Sequence, residues 1–152
     1  RDQNNFDLDL LCGAKEVTAY KQIQLTQDPN LCVGVAGSDL DTPAELFRCN
    51  EEASDLLSWK FDSTDRLLRL EANNNRCLEI DGTYQAGNSI SLSTCNPARA
   101  RQRWWYDRFN NDEMSSGGDD TYCVTYNTSR DSPGLGFSVV IDKCAGTTRQ
   151  EW

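Results

Sequence analysis

Three series of residues recur along this chain of 152 residues at one shared period of about 46. The first series is Cys32, Cys77 and Cys123, and the second is Cys49, Cys95 and Cys144. The third is Trp59, Trp104 and Trp152, each closing its copy. A unit repeated at this length is one supersecondary element that cannot bury its own apolar face, so the copies must pack on each other. Three copies make a poor open solenoid, which predicts closure around a threefold axis.

Between the markers the copies also align. Asn30-Leu31-Cys32-Val33-Gly34-Val35, Asn75-Arg76-Cys77-Leu78-Glu79-Ile80 and Thr121-Tyr122-Cys123-Val124-Thr125-Tyr126 alternate apolar with small or polar residues, which is a strand period. Asp81-Gly82 and Ala86-Gly87-Asn88-Ser89 break such runs into hairpins. No long stretch has a clear helical period. Ala44–Arg48, Ala53–Leu57 and Ala98–Gln102 are expected to form single helical turns before the tryptophan strands. The chain is therefore expected to be all-β, with about four short strands per repeat.

Each repeat's cysteines close a short loop: Cys32–Cys49, Cys77–Cys95 and Cys123–Cys144. Such a loop, closed by a disulfide, contributes about 3 kcal/mol in the chain-entropy account. Equal spacing in every copy implies a geometric reason for the pairs, and seven cysteines imply an oxidising compartment. Zinc is disfavoured, because the chain has no His and no Cys-x-x-Cys. Cys12 is left over, and an odd cysteine suggests a bond to another chain or segment. Asn127-Thr128-Ser129 is an N-glycosylation sequon, which fits a secreted or cell-surface protein. The net charge of −9 argues against nucleic acid and anionic membrane surfaces as partners. No apolar run is long enough to insert in a membrane.

Three cysteine-paired repeats ending in Gln102-Arg103-Trp104 and Gln150-Glu151-Trp152, with a degenerate Leu57-Ser58-Trp59 in the first, resemble the ricin B-type (R-type) lectin β-trefoil. The second repeat is nearest to the pattern: Asn75–Gly82, Gly87-Asn88 and Ser91–Cys95. The resemblance implies a β-trefoil over residues 22–152, with repeats at about 22–66, 67–108 and 109–152, behind an N-terminal extension at 1–21 that carries Cys12. It implies that the tryptophans converge on the threefold axis and that Gln102 and Gln150 tie loops to the backbone. It also implies a non-catalytic carbohydrate-binding module without a cofactor.

In sugar-binding members of that family, an active repeat carries an Asp two residues after the first cysteine. An aromatic stands two residues before the second, and an Asn stands just before the Gln-x-Trp. Here those places hold Gly34, Phe47 and Leu56; Glu79, Ser93 and Arg101; and Thr125, Asp142 and Arg149. Galactose sites of the usual composition are therefore expected to be degenerate in all three copies. The candidate carbohydrate-binding residues are Glu79, Arg101, Gln102 and Phe47. Glu79 is expected to face Arg101, either as an ion pair that closes the pocket or beside guanidinium donors (with Arg99 and Arg103) for a sulfated or acidic sugar. Trp105 must point opposite to Trp104, so one of the two faces outward.

The acidic stretch Asp112–Asp120 is expected to be a solvated loop, since the ligand spacing of a calcium-binding loop is absent. The third repeat ends at its tryptophan, whereas the others continue with Lys60-Phe61-Asp62 and Trp105-Tyr106-Asp107. That favours a module of a larger extracellular protein, with partners among glycans and neighbouring chains or domains. The rival expectation is a structural or protein-interaction domain on the same scaffold. An enzyme is disfavoured by the absence of His and of any phosphate-binding glycine loop.

Overall fold

The computed structural model describes residues 20–50, 53–107, 112–127 and 133–152. Eleven strands occupy these segments. The first repeat supplies β1 (Lys21–Gln22), β2 (Leu31–Val35), β3 (Ala44–Arg48) and β4 (Ser58–Phe61). The second supplies β5 (Leu68–Leu70), β6 (Asn73–Ile80), β7 (Ile90–Thr94) and β8 (Trp104–Asp107). The third supplies β9 (Glu113–Ser116), β10 (Tyr122–Tyr126) and β11 (Val139–Lys143). The first strand begins one residue ahead of the expected repeat boundary.

The strands divide into a ring and a cap. In the ring, the carbonyls of Ser58, Arg103 and Glu151 accept hydrogen bonds from Glu71, Gly117 and Thr26, at 3.0, 2.6 and 2.9 Å. These are one bond repeated at the three seams between copies, and the third of them joins the last repeat to the first. Within the copies, Trp104 N donates to Arg66 O at 3.1 Å and Trp152 N to Asp112 O at 3.2 Å. Residues 151–152 thus make the bonds of a fourth strand without being assigned one.

The cap consists of the hairpins β2–β3, β6–β7 and β10–β11. Each meets the next through one bridge: Pro43↔Ser91, Ser89↔Val140 and Ser138↔Glu45. A second set of equivalents turns each hairpin toward its neighbour. Asp41 N donates to Leu92 O, Gly87 N to Ile141 O and Gly136 N to Leu46 O. All three donors adopt left-handed backbone, at φ 67°, 89° and 77°. Two are the glycines this geometry favours, and the first is an aspartate.

The core lies on the axis. Trp59, Trp104 and Trp152 are fully buried, and each indole N–H donates to the backbone carbonyl of Val33, Leu78 or Val124. A buried Trp contributes a large apolar area and needs a partner for its one polar group, and both needs are met in the same way three times. Around them pack Ile23, Leu68 and Met114, and Ala44, Ile90 and Val139, again one residue per repeat.

Disulfides join Cys32–Cys49, Cys77–Cys95 and Cys123–Cys144, one per repeat as the spacing predicts. Two local expectations need correction. Ala44–Arg48 is a strand rather than a helical turn, because all five of its residues pair with β2. The acidic stretch from Asp112 is not simply a loop, since Glu113–Ser116 forms β9 and both Asp112 and Glu113 are buried. The other two expected turns exist as Ser54–Leu56 and Ala100–Gln102, and a third at Thr148–Gln150 completes the set.

Candidate functional site

The short turn before each tryptophan lies against the hairpin of its own repeat. This brings the residue two places after the first cysteine against the residue two places before the tryptophan. The pairs are Gly34 with Leu57, Glu79 with Gln102, and Thr125 with Gln150.

In the second repeat Gln102 is buried and fully bonded. Its Nε2 donates to Thr94 O at 2.9 Å and to Glu79 Oε1 at 2.7 Å, while its Oε1 accepts from Asn96 N at 2.8 Å. Glu79 takes two further cations. Arg99 Nη1 lies 2.9 Å from both carboxylate oxygens, and Arg101 Nη2 lies 3.5 Å from Oε2. Arg101 also donates through Nη1 to Gly82 O at 2.5 Å. Burial opposes ionisation of Glu79, but the hydrogen bonds from Gln102 and Arg99 and the charge of Arg99 outweigh it. They hold the carboxyl below its ordinary range.

The third repeat has the same frame without the charge. Gln150 Nε2 donates to Lys143 O at 2.9 Å and to Thr125 Oγ1 at 3.0 Å, and its Oε1 accepts from Ala145 N at 2.9 Å. The first repeat replaces both polar partners. Leu57 is buried over Gly34, and a Cβ on that glycine would lie 2.2 Å from Leu57 Cδ2, 3.0 Å from Phe47 Cδ2 and 3.1 Å from Leu56 O. The first pocket position is thus filled with apolar side chains.

Of the expected site residues, Glu79, Arg101 and Gln102 come together, while Phe47 belongs to the separate first-repeat cluster. Arg99 makes the shorter ion pair with Glu79, a partner that spacing alone did not single out. The complementarity of Gly34 and Leu57 was also missed, although its signal was present: the copy that lacks the glutamine is the copy that lacks a side chain opposite it. Trp104 is buried and Trp105 is 48% exposed, as strand alternation requires. Asn127 is exposed, whereas Thr128, Ser129 and Cys12 lie outside the described residues.

The fold is found in solved proteins. A mosquitocidal holotoxin matches with a TM-score of 0.72 at 15% identity, over 88% of this chain, and the chain spans only 16% of that toxin. The C-half of an earthworm R-type lectin, solved in complex with GalNAc, matches with a TM-score of 0.67 at 12% identity, covering 87% of this chain and 94% of that one. The designed threefold-symmetric protein ThreeFoil matches with a TM-score of 0.73 at 12% identity, covering 86% and 94%. No curated protein matches the sequence significantly. At these identities the structures establish the β-trefoil, and the sequence itself goes further: residues 19–152 match the ricin-type β-trefoil lectin domain, so the chain belongs to that family.

Proposed function

We propose that this domain is a non-catalytic glycan-recognition module of a larger extracellular protein, that its galactose sites are degenerate, and that its surviving pocket is in the second repeat. The observation that carries this reading is the occupation of Glu79. A carboxylate that normally accepts hydrogen bonds from sugar hydroxyls is already held by Arg99, Arg101 and Gln102. A neutral sugar must displace charge-assisted bonds to reach it, which costs more than it returns. The partly exposed guanidinium groups of Arg99 and Arg101 instead offer donors to an anion. Acidic or sulfated glycans are the preferred ligands.

Three in-repeat disulfides and the sequon at Asn127 support the extracellular assignment. A glycan array that includes sulfated and uronic sugars tests the function. Binding of acidic glycans, weakened by Arg101→Ala, is the expected result. Tight galactose binding that survives Glu79→Gln refutes it. One observation favours the rival reading of a protein-interaction domain: the first-repeat position is plugged by Leu57. An array silent across all sugar classes supports that rival.

A further inference from the structure

Arg66 stands in the turn between β4 and β5 and belongs to none of the three pocket pairs. Its guanidinium carbon lies 3.0 Å from the ring centroid of Trp105 and 5.5 Å from that of Phe61. Its edge is another matter. Among the described residues the side chain has no hydrogen-bond or ion-pair partner, and Nε is buried with none. The two aspartates of the same turn do not serve it: Asp62 and Asp65 both pair with Arg69, at 3.7 and 2.6 Å. Burial lowers the Arg66 pKa to about 10, so the group is a cation at neutral pH. A guanidinium that no described residue bonds has in-plane N–H groups to offer an anion.

The threefold repeat separates what the scaffold needs from what is extra here. The equivalents of Arg66 and Trp105 in the first repeat are Tyr20 and Lys60, and there Lys60 Nζ lies 5.4 Å from the Tyr20 ring. This position holds a cation on an aromatic ring in both copies, with the two partners exchanged. Packing therefore accounts for the stacked pair. It does not account for an indole that is 48% exposed or for a guanidinium edge without an acceptor among the described residues.

We propose that Trp105 and Arg66 form a second ligand site, which takes one carboxylate or sulfate carried on a sugar ring. The in-plane N–H groups of Arg66, unpartnered among the described residues, hold the anion, and the exposed indole supports the C–H face of the ring. The site rests on the reading of the domain as glycan-binding but not on the Glu79 pocket. The net charge of −9 disfavours a polyanionic chain and favours a glycan with a single charged group.

The test uses tryptophan fluorescence of the whole chain. Trp59, Trp104 and Trp152 are at most 1% exposed, so acrylamide quenching reads Trp105. The probes are methyl glucuronide and galactose 6-sulfate, with methyl glucoside and galactose as the uncharged parents. Both anionic probes are expected to protect Trp105 from quenching, and the parents are not. Protection by one anionic probe alone supports the site and identifies its group. Arg66→Gly removes the guanidinium at a backbone φ of 67° that suits glycine, so folding is retained. It is expected to weaken protection at least ~10-fold, while Arg101→Ala leaves protection unchanged. Equal protection by the uncharged parents, protection unaltered in Arg66→Gly, or no protection by either anionic probe overturns the proposal. Glycan binding lost in Arg101→Ala but kept in Arg66→Gly overturns this site and leaves the second-repeat pocket standing.

Discussion

Leu57 lies so close over Gly34 that a Cβ on the glycine would come within 2.2 Å of Leu57 Cδ2. The equivalent pairs, Glu79–Gln102 and Thr125–Gln150, meet instead through side-chain hydrogen bonds of 2.7 and 3.0 Å. One position on the trefoil is thus filled by two chemistries, a polar contact in two copies and a leucine against a bare backbone in the third. Gly34→Ala is expected to destabilise the domain by about 1–3 kcal/mol through overpacking. In a Leu57→Ala background the same change is expected to cost less than half as much. A double-mutant cycle by urea unfolding measures the difference.

Asp41 adopts the left-handed backbone that its counterparts Gly87 and Gly136 adopt as glycines. Asp41→Gly relieves that conformation and keeps the bond from its N–H to Leu92 O. The relief outweighs the added freedom of the unfolded chain, for a gain on the order of 0.5 kcal/mol. A higher midpoint of thermal unfolding is the expected readout, and a lower one contradicts the equivalence.

Gln102 and Gln150 each close a loop with three hydrogen bonds from a buried side chain. Replacing either with Leu strands backbone groups in the interior and is expected to cost about 2 kcal/mol or more. Gln102→Leu is expected to cost more than Gln150→Leu, because it also removes a donor from the Glu79 carboxylate. Denaturant titration of the two variants gives the order directly.

The Glu79 carboxyl is held below its ordinary value of 4.5, so the folded state binds its proton less readily than the unfolded chain does. The stabilisation is fully present above that ordinary value and is lost as pH falls through it toward the native one. Glu79→Gln is therefore expected to be less stable than the parent at neutral pH, by on the order of 1 kcal/mol. The gap is expected to narrow as the solution is acidified below pH 4.5. Melting curves across pH for both proteins check the sign, and a gap that widens in acid contradicts it.

Much of the architecture was legible in the amino-acid order. The period of the cysteines and tryptophans fixed the number of copies, the disulfide partners and the buried Trp of each copy, because a side chain repeated in phase must meet the same surroundings three times. Alternation placed Trp104 and Trp105 on opposite faces, since strand side chains point alternately. The position of Glu79 near Arg101 was legible for the same reason, both residues lying at fixed offsets from repeat markers.

Other features depended on what approaches from afar. Ala44–Arg48 has the composition of a helical turn but becomes a strand because β2 pairs with all five of its residues. The acidic run from Asp112 begins buried because β9 pairs with β8 and β10. Arg99, in an irregular approach to a short turn, has no period to set its direction, so its ion pair with Glu79 follows only from the folded loop. Arg66 and Trp105 are 39 residues apart in sequence (105 − 66) and meet only because β8, which closes its copy, lies against the turn that opens it, Trp104 N donating to Arg66 O. The sequence by itself determined which residues repeat and therefore which must be buried alike, since periodic chemistry demands periodic surroundings. Which charged edges find partners among the described residues followed only from the fold, because that depends on the distance between side chains that no local pattern connects.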